Sequence, residues 1–270
     1  MIRFRLPAER LDPERASAWS VGSGSTAIVL VHGFAGSPAE FRYFGARLAD
    51  YGFVVAAPLV KGHGTSVLDM HATKWRAWAT SIQSAIEDLL RDMRHVVVVG
   101  QSMGALLALH LAAQNPAISA VGTMAAPLRL SGVGPRMVPY AKFLVPGYEA
   151  GGDVDLFRRE GLEELYGYGI HSLSAVHELL RLAREVEREL ATIRQPVFIA
   201  QGGRDRLVHP HNALELSRRL VCSRSVLQVT YPRSGHGLSV DIDRDHMVGE
   251  FVAWLGHVGV GPDLRLPGTA

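Results

Sequence analysis

The chain has 270 residues, 47% of them apolar and 20% charged, with 28 basic and 26 acidic side chains and a formal net charge of +2. That length and composition suit a single globular α/β core carrying an insertion, and the scattered charge, without a Lys/Arg block, excludes a nucleic-acid partner from the expectation. No run of about 18 apolar residues is present to span a bilayer, so no stable membrane insertion is expected, and the single cysteine, Cys222, rules out an intramolecular disulfide or a multi-cysteine metal site.

In chain order, the segment Met1 to Ser17 is punctuated by Arg, Glu and Pro where a secretory leader needs an unbroken apolar stretch, so a cytoplasmic location is expected. Apolar stretches near residues 2–6 and 18–21 are candidates for an antiparallel sheet edge. Residues 27–31 (AIVLV) are apolar without alternation, the pattern of a strand buried on both faces, and run into His32-Gly33-Phe34. Ser37-Pro38-Ala39-Glu40 then sets a capping Ser, a Pro at the first helical position and a Glu at the third. This predicts a helix start in the manner of a capping box, with the helix running to about Asp50. A short strand at 53–57 follows, then a loop over 58–69 whose Lys61-Gly62-His63-Gly64 is turn chemistry. Trp75, Trp78, Ile82, Ile86 and Leu89 recur at helical spacing, and 95–99 (HVVVV) is a second doubly buried strand. Strand, helix, strand, helix, strand predicts a parallel sheet with crossover helices.

After Val99 come Gly100-Gln101-Ser102-Met103-Gly104, an apolar helix over 105–113 and a strand at 118–124. From Pro127 to about Thr192 the rhythm changes: Gly and Pro punctuate 132–152, and Leu173, Val176, Leu180, Ala183 and Leu190 mark an amphipathic helix, so the stretch reads as an insertion. The alternation resumes with a strand at 197–201, a helix near 212–220, a strand at 225–231 and a last helix over about 244–255. Cys222 is expected as a small packed residue near a helix end, and the Gly/Pro-rich tail from Gly259 is expected to fray.

The chemistry sits in G-x-S-x-G at 100–104, between a buried strand and an apolar helix. A serine on so sharp a turn has strained backbone angles, and Gly100 and Gly104 present no side chain to the neighbouring strand and helix. A serine hydroxyl needs a base, and the base needs a carboxylate to fix its tautomer. On such a sheet the partners follow in the order serine, acid, histidine, each on a loop after a later strand. The strand at 197–201 exits into Gly202-Gly203-Arg204-Asp205, and that at 225–231 into Ser234-Gly235-His236, which nominates Asp205 and His236. His209 and His211 share the acid's loop and read as surface or capping residues; Asp241 and Asp243 read as helix-start acids, with Asp241 an alternative catalytic acid. Oxyanion donors are expected from the backbone N–H groups of Met103 and Phe34, and His32 and His63 are read as orienting or packed. No H-E-x-x-H cluster occurs among 12 histidines and no glycine-rich phosphate loop is present, so no metal and no cofactor are implied.

Leu30-Val31-His32-Gly33-Phe34-Ala35-Gly36-Ser37, Lys61-Gly62-His63-Gly64, Gly100-Gln101-Ser102-Met103-Gly104, Ala125-Ala126-Pro127, Gly203-Arg204-Asp205 and Ser234-Gly235-His236 together resemble the α/β-hydrolases that include small bacterial carboxylesterases and monoacylglycerol lipases. The resemblance implies an α/β-hydrolase fold: a mostly parallel central sheet flanked by helices, core at 1–127 and 193–258, a small helical cap at 128–192 after the sixth strand, and a flexible tail at 259–270. It further implies a serine carboxylesterase acting through an acyl-enzyme on a small-molecule ester, of short to medium chain. Val133, Val138, Phe143, Leu144 and Val145 in the cap suggest an uncharged acyl or alcohol group. A monoacylglycerol lipase with transient lipid contact through the cap, a C–C bond or thioester hydrolase using the same triad, and a non-catalytic receptor are the alternatives.

Overall fold

The computed structural model describes residues 10–130, 133–149 and 155–262. The strand expected near 2–6 and the tail beyond 262 lie outside these residues.

After the short helix α1 (Pro13–Ala16) come β1 (Trp19–Val21), β2 (Thr26–Val31), a 3-10 turn at Pro38–Phe41 that runs into α2 (Arg42–Asp50), and β3 (Val54–Ala57). Then follow α3 (Val67–Ala72), α4 (Trp75–Leu90), β4 (His95–Gln101), α5 (Met103–Gln114) and β5 (Ala120–Met124). The inserted stretch holds α6 (Val133–Ala141), β6 (Gly147–Glu149), α7 (Gly161–Glu164), β7 (Ile170–Ser172) and α8 (Leu173–Glu189). The chain closes with β8 (Val197–Gly202), α9 (His211–Arg219), β9 (Val226–Tyr231) and α10 (Arg244–His257).

Seven strands form one sheet in the order β1-β3-β2-β4-β5-β8-β9. All neighbours are parallel except β1, which pairs antiparallel with β3 as the edge anticipated at 18–21. The unbroken apolar strands now have their reason. Along β2, Ala27, Val29 and Val31 enter one apolar cluster while Ile28 and Leu30 enter the other; along β4, Val96 and Val98 face the first and Val97 and Val99 the second. Successive side chains point to opposite faces, so a sheet covered on both sides needs apolar residues at every position. Helices α4, α5, α8 and α9 cover one face, α2 and α10 the other. Helix α5 is buried almost all round, as its continuous apolar sequence requires.

Several local expectations are corrected. The loop at 58–69 ends in α3, whose N-cap Ser66 accepts from Asp69 N–H. The insertion is not purely helical: β6 and β7 form a two-stranded antiparallel ribbon. Its last helix, α8, buries Leu179, Leu182, Ala183 and Val186 in the same cluster as α4 and α5 and so serves as the crossover between β5 and β8. Cys222 lies just after α9 but is exposed. Residues 259–262 lie against the core, with Val260 buried and Gly261 O accepting from Thr26 Oγ1 at 3.1 Å.

Candidate active site

A parallel sheet delivers the ends of its strands to one edge, where α/β proteins place their ligands. The loops after β2, β4, β8 and β9 carry His32-Gly33-Phe34, Ser102, Asp205 and His236 to that edge.

Ser102 has φ 55° and ψ −117°, a backbone rarely adopted by a residue with a side chain. The turn is held where the strand ends: Ser102 N–H donates to Met124 O on β5 at 2.8 Å, and Ala105 N–H donates back to Ser102 O at 3.0 Å. A Cβ on Gly100 would overlap Gly104 C and O, and one on Gly104 would overlap Val31 O, so both glycines are sterically required. Ala35 and Ala125 share the left-handed region with φ 60° and 50°, and among the described residues these three alone do so without being glycine. All three lie at the same sheet edge, following β2, β4 and β5.

Across that edge, His236 Nδ1 is 2.9 Å from Asp205 Oδ2. Asp205 is buried and anchored from several sides: Oδ1 accepts from Leu207 N–H at 3.0 Å and Val208 N–H at 2.7 Å, and Oδ2 accepts from Gln201 Nε2 at 3.1 Å. A carboxylate so supplied with donors is held in place and cannot swing away from the imidazole. His236 N–H donates to Asp155 O at 2.9 Å, and the Asp155 carboxylate accepts from Arg206 N–H and, at 3.0 Å, from Arg206 Nε. Among the described residues no hydrogen bond joins Ser102 Oγ to His236, whose Nδ1 faces Asp205.

Among the described residues the alternative acid Asp241 makes no hydrogen bond to the imidazole, whose carboxylate partner is Asp205. Asp241 is buried, and its oxygens take the N–H groups of Phe157, Arg158, Ile242 and Gly235, which shapes the loop that carries His236. Asp243 likewise accepts from Arg233 and Ser234. His209 and His211 are exposed, and His211 N–H donates to His209 Nδ1 at 3.1 Å.

Neither Phe34 N–H nor Met103 N–H donates to a group among the described residues. Gly33 O is 2.9 Å from His32 Nδ1 and accepts from Gly36 N–H at 3.2 Å. In a trans peptide the C=O and N–H point opposite ways, so fixing Gly33 O also fixes the direction of Phe34 N–H. His32 Nε2 accepts from Val60 N–H at 3.1 Å, which commits both ring nitrogens. Burial pushes the His32 pKa down to about 4 and, with His32 beside it, that of His63 to about 3, so both are neutral packed rings.

Glu40 departs from the capping expectation. Ser37 makes no side-chain cap, its Oγ donating instead to Tyr166 O at 2.7 Å, while the Glu40 carboxyl turns inward and accepts from Gly33 N–H at 2.9 Å. Burial pushes its pKa up to about 8, against smaller opposing effects of its bonds to Gly33 and Gln101. The cap residues divide as well: Val138 is buried with Leu173 and Val176 against Phe34, whereas Phe143, Leu144 and Val145 face outward, and the Val133 side chain lies outside the described residues.

Sequence reasoning missed Gln201, Asp155, Glu40 and Gln101. Gln101 occupies a variable place of G-x-S-x-G and carried no signal, and Asp155 stands in a Gly-rich stretch with no periodicity. Glu40 had a sufficient local explanation.

Residues 28–254 match the alpha/beta hydrolase family. The chain is 27% identical over 226 residues to a thermostable monoacylglycerol lipase of Bacillus sp. (strain H-257), covering 84% of this chain and 88% of that one. It is 25% identical over 230 residues to a carboxylesterase of Bacillus subtilis (strain 168), covering 82% and 89%. Among solved structures, the monoacylglycerol lipase of Paleococcus ferrophilus superposes with a TM-score of 0.77 at 20% identity, over 90% of this chain and 98% of that one. Because the match runs from the first core strand to the last helix, through the Ser102 turn and both loops bearing Asp205 and His236, the chain belongs to the alpha/beta hydrolase family.

Proposed function

We propose that this chain is a serine-dependent carboxylic ester hydrolase acting on short- to medium-chain esters. The observation that carries the reading is the strained backbone of Ser102 at the sheet edge where His236 and Asp205 are hydrogen-bonded. Ser102 Oγ attacks the ester carbonyl carbon as His236 Nε2 takes the hydroxyl proton. The bond to the alcohol oxygen then breaks, and the same proton passes to the leaving group. Water adds to the acyl-enzyme, its proton going to His236, and the acid departs as the Ser102 hydroxyl is restored. Asp205 orients the imidazole and stabilises its protonated form, while the N–H groups of Phe34 and Met103 receive the oxyanion. Phe34, whose backbone N–H faces the proposed oxyanion, packs its ring against the buried Val138, Leu173 and Val176, and apolar surroundings of this kind suit an uncharged acyl or alcohol group.

Hydrolysis of p-nitrophenyl esters from acetate to palmitate by wild type and Ser102→Ala tests this. Turnover is expected to peak at short or medium chains and to fall by about 10³-fold or more in the variant. Unchanged turnover in Ser102→Ala sinks the reading; absence of any ester turnover redirects it to thioester or C–C bond hydrolysis, or to a non-catalytic receptor.

A second reading, monoacylglycerol lipase, is favoured by the outer surface of the cap. Tyr140, Phe143 and Leu144 are 70%, 80% and 85% exposed, with Lys142 over the Phe143 ring. An apolar patch edged by a cation suits transient contact with lipid, and a preference for monoacylglycerol over p-nitrophenyl esters would decide for it. Among the described residues no helix is long and apolar enough to cross a membrane.

A further inference from the structure

Three loops must keep a common register at the sheet edge: the one with Phe34, the turn with Ser102 and the one with His236. Beneath them runs a buried chain of hydrogen bonds. Glu40 Oε1 accepts from Gly33 N–H at 2.9 Å and from Gln101 Nε2 at 3.2 Å, and Gln101 Oε1 accepts from Ser239 N–H at 2.9 Å. Glu40 and Gln101 are 5% and 3% exposed. The chain reaches each of the three loops: Gly33 precedes Phe34, Gln101 precedes Ser102, and Ser239 follows His236 by three residues.

The bonding is specific. Gln101 uses its amide as both donor and acceptor, so the assignment of its oxygen and nitrogen follows from its partners. Gly33 is gripped on both of its backbone groups, N–H by Glu40 and C=O by His32 and Gly36, which leaves Phe34 N–H one direction in which to point. The carboxyl packs closely under the loop: a Cβ on Gly36 would stand 3.1 Å from Glu40 Oε2. A buried polar chain in which each member is bonded is rigid, and removing one member strands its partners.

We propose that Glu40 and Gln101 are positioning residues that bind the oxyanion loop, the nucleophile turn and the histidine loop into one unit, acting through Gly33 and Ser239 without touching substrate. The inference rests on the roles given above to Ser102, His236 and Phe34. Because the chain fixes groups needed in the transition state more than in substrate binding, its loss should appear in kcat and leave KM nearly unchanged.

The test compares wild type with Gln101→Met, Glu40→Leu and Glu40→Gln. It measures p-nitrophenyl butyrate kinetics and the affinity for an alkyl boronic acid, which becomes tetrahedral on a serine hydroxyl. Gln101→Met and Glu40→Leu are expected to lower kcat by about 10- to 100-fold with KM within about twofold, and to weaken the boronic acid in step with kcat/KM. Glu40→Gln keeps an acceptor for Gly33 and Gln101 and is expected to stay within about threefold of wild type. If Glu40→Leu does not fold, Gln101→Met, which keeps the volume and loses the bonds, carries the test. Folded Gln101→Met with wild-type kcat overturns the proposal, as does a loss of boronic acid affinity no greater than the loss of substrate affinity, or a Glu40→Gln variant as impaired as Glu40→Leu. Loss of the esterase reading is distinguishable, since it shows as serine-independent turnover in Ser102→Ala.

Discussion

Asp205 is held by three donors besides His236, so its contribution is separable from its mere presence. Asp205→Asn keeps an acceptor for Leu207 and Val208 but can present an amide N–H to the imidazole, reversing its tautomer. The expected result is a folded protein whose kcat falls by about 10³- to 10⁴-fold, read by the same ester assay. Glu40, His32 and His63 give the fold a pH dependence of its own. Between the ordinary carboxyl range and pH 8 the native state holds a proton on Glu40 that the unfolded chain has released, so the Glu40 contribution to stability declines as pH rises, by about 1.4 kcal/mol per unit, and levels off above about 8; it sets the net slope only above about 6.5, where the imidazoles no longer oppose it. Below about 6.5 the unfolded chain takes up protons that the two buried imidazoles refuse, so stability falls as the solution is acidified toward pH 4 and below. Urea unfolding from pH 5 to 9 should therefore show a maximum near neutrality, and Glu40→Gln should flatten its alkaline side. An alkaline side unchanged in Glu40→Gln refutes the assignment. At this scale chemistry and local context coincide in the sequence at Ser102, Asp205 and His236, and the structure places the three on loops at one sheet edge with His236 bonded to Asp205. Glu40 was hidden because its partner Gly33 lies on the wrong side of the turn for a helix cap.

The Ser102 turn depends on the contact of α5 with β2. A Cβ at Gly104 would overlap Val31 O, and backbone on both sides leaves nothing to yield. Gly104→Ala is expected to lower stability by about 3 kcal/mol or more and to reduce the Ser102 turn's activity beyond what the loss of folded protein explains; thermal unfolding combined with active-site titration measures both. Core elements were readable from sequence because β2, β4 and α5 carry their burial in unbroken apolar runs. The ribbon of β6 and β7 was not, since three-residue strands are too short to display alternation. Nor could apolar identity alone say that Val138 faces inward and Phe143 outward on adjoining turns.

For the molecule as a whole, the lipid-contact proposal for the exposed Phe143 and Leu144 predicts an effect separable from chemistry at the sheet edge. Phe143→Ser with Leu144→Ser is expected to leave kcat on a soluble short-chain ester unchanged within about twofold while lowering binding to lipid vesicles and turnover of emulsified monoacylglycerol about 10-fold; equal loss on both substrates would refute a lipid-contact role. The insertion itself is fastened unevenly. Tyr168 N–H donates to Ala35 O at 2.8 Å, Ser37 Oγ donates to Tyr166 O, and Gly167 lies so close to Ala35 O that no Cβ fits. One flank of the insertion is thus sewn to the loop bearing Phe34, while residues 133–149 share no such seam among the bonds described. A change at 166–168 therefore reaches the Phe34 loop through its backbone, whereas a change on the 133–149 flank reaches it only through the side-chain packing of Val138 against Phe34.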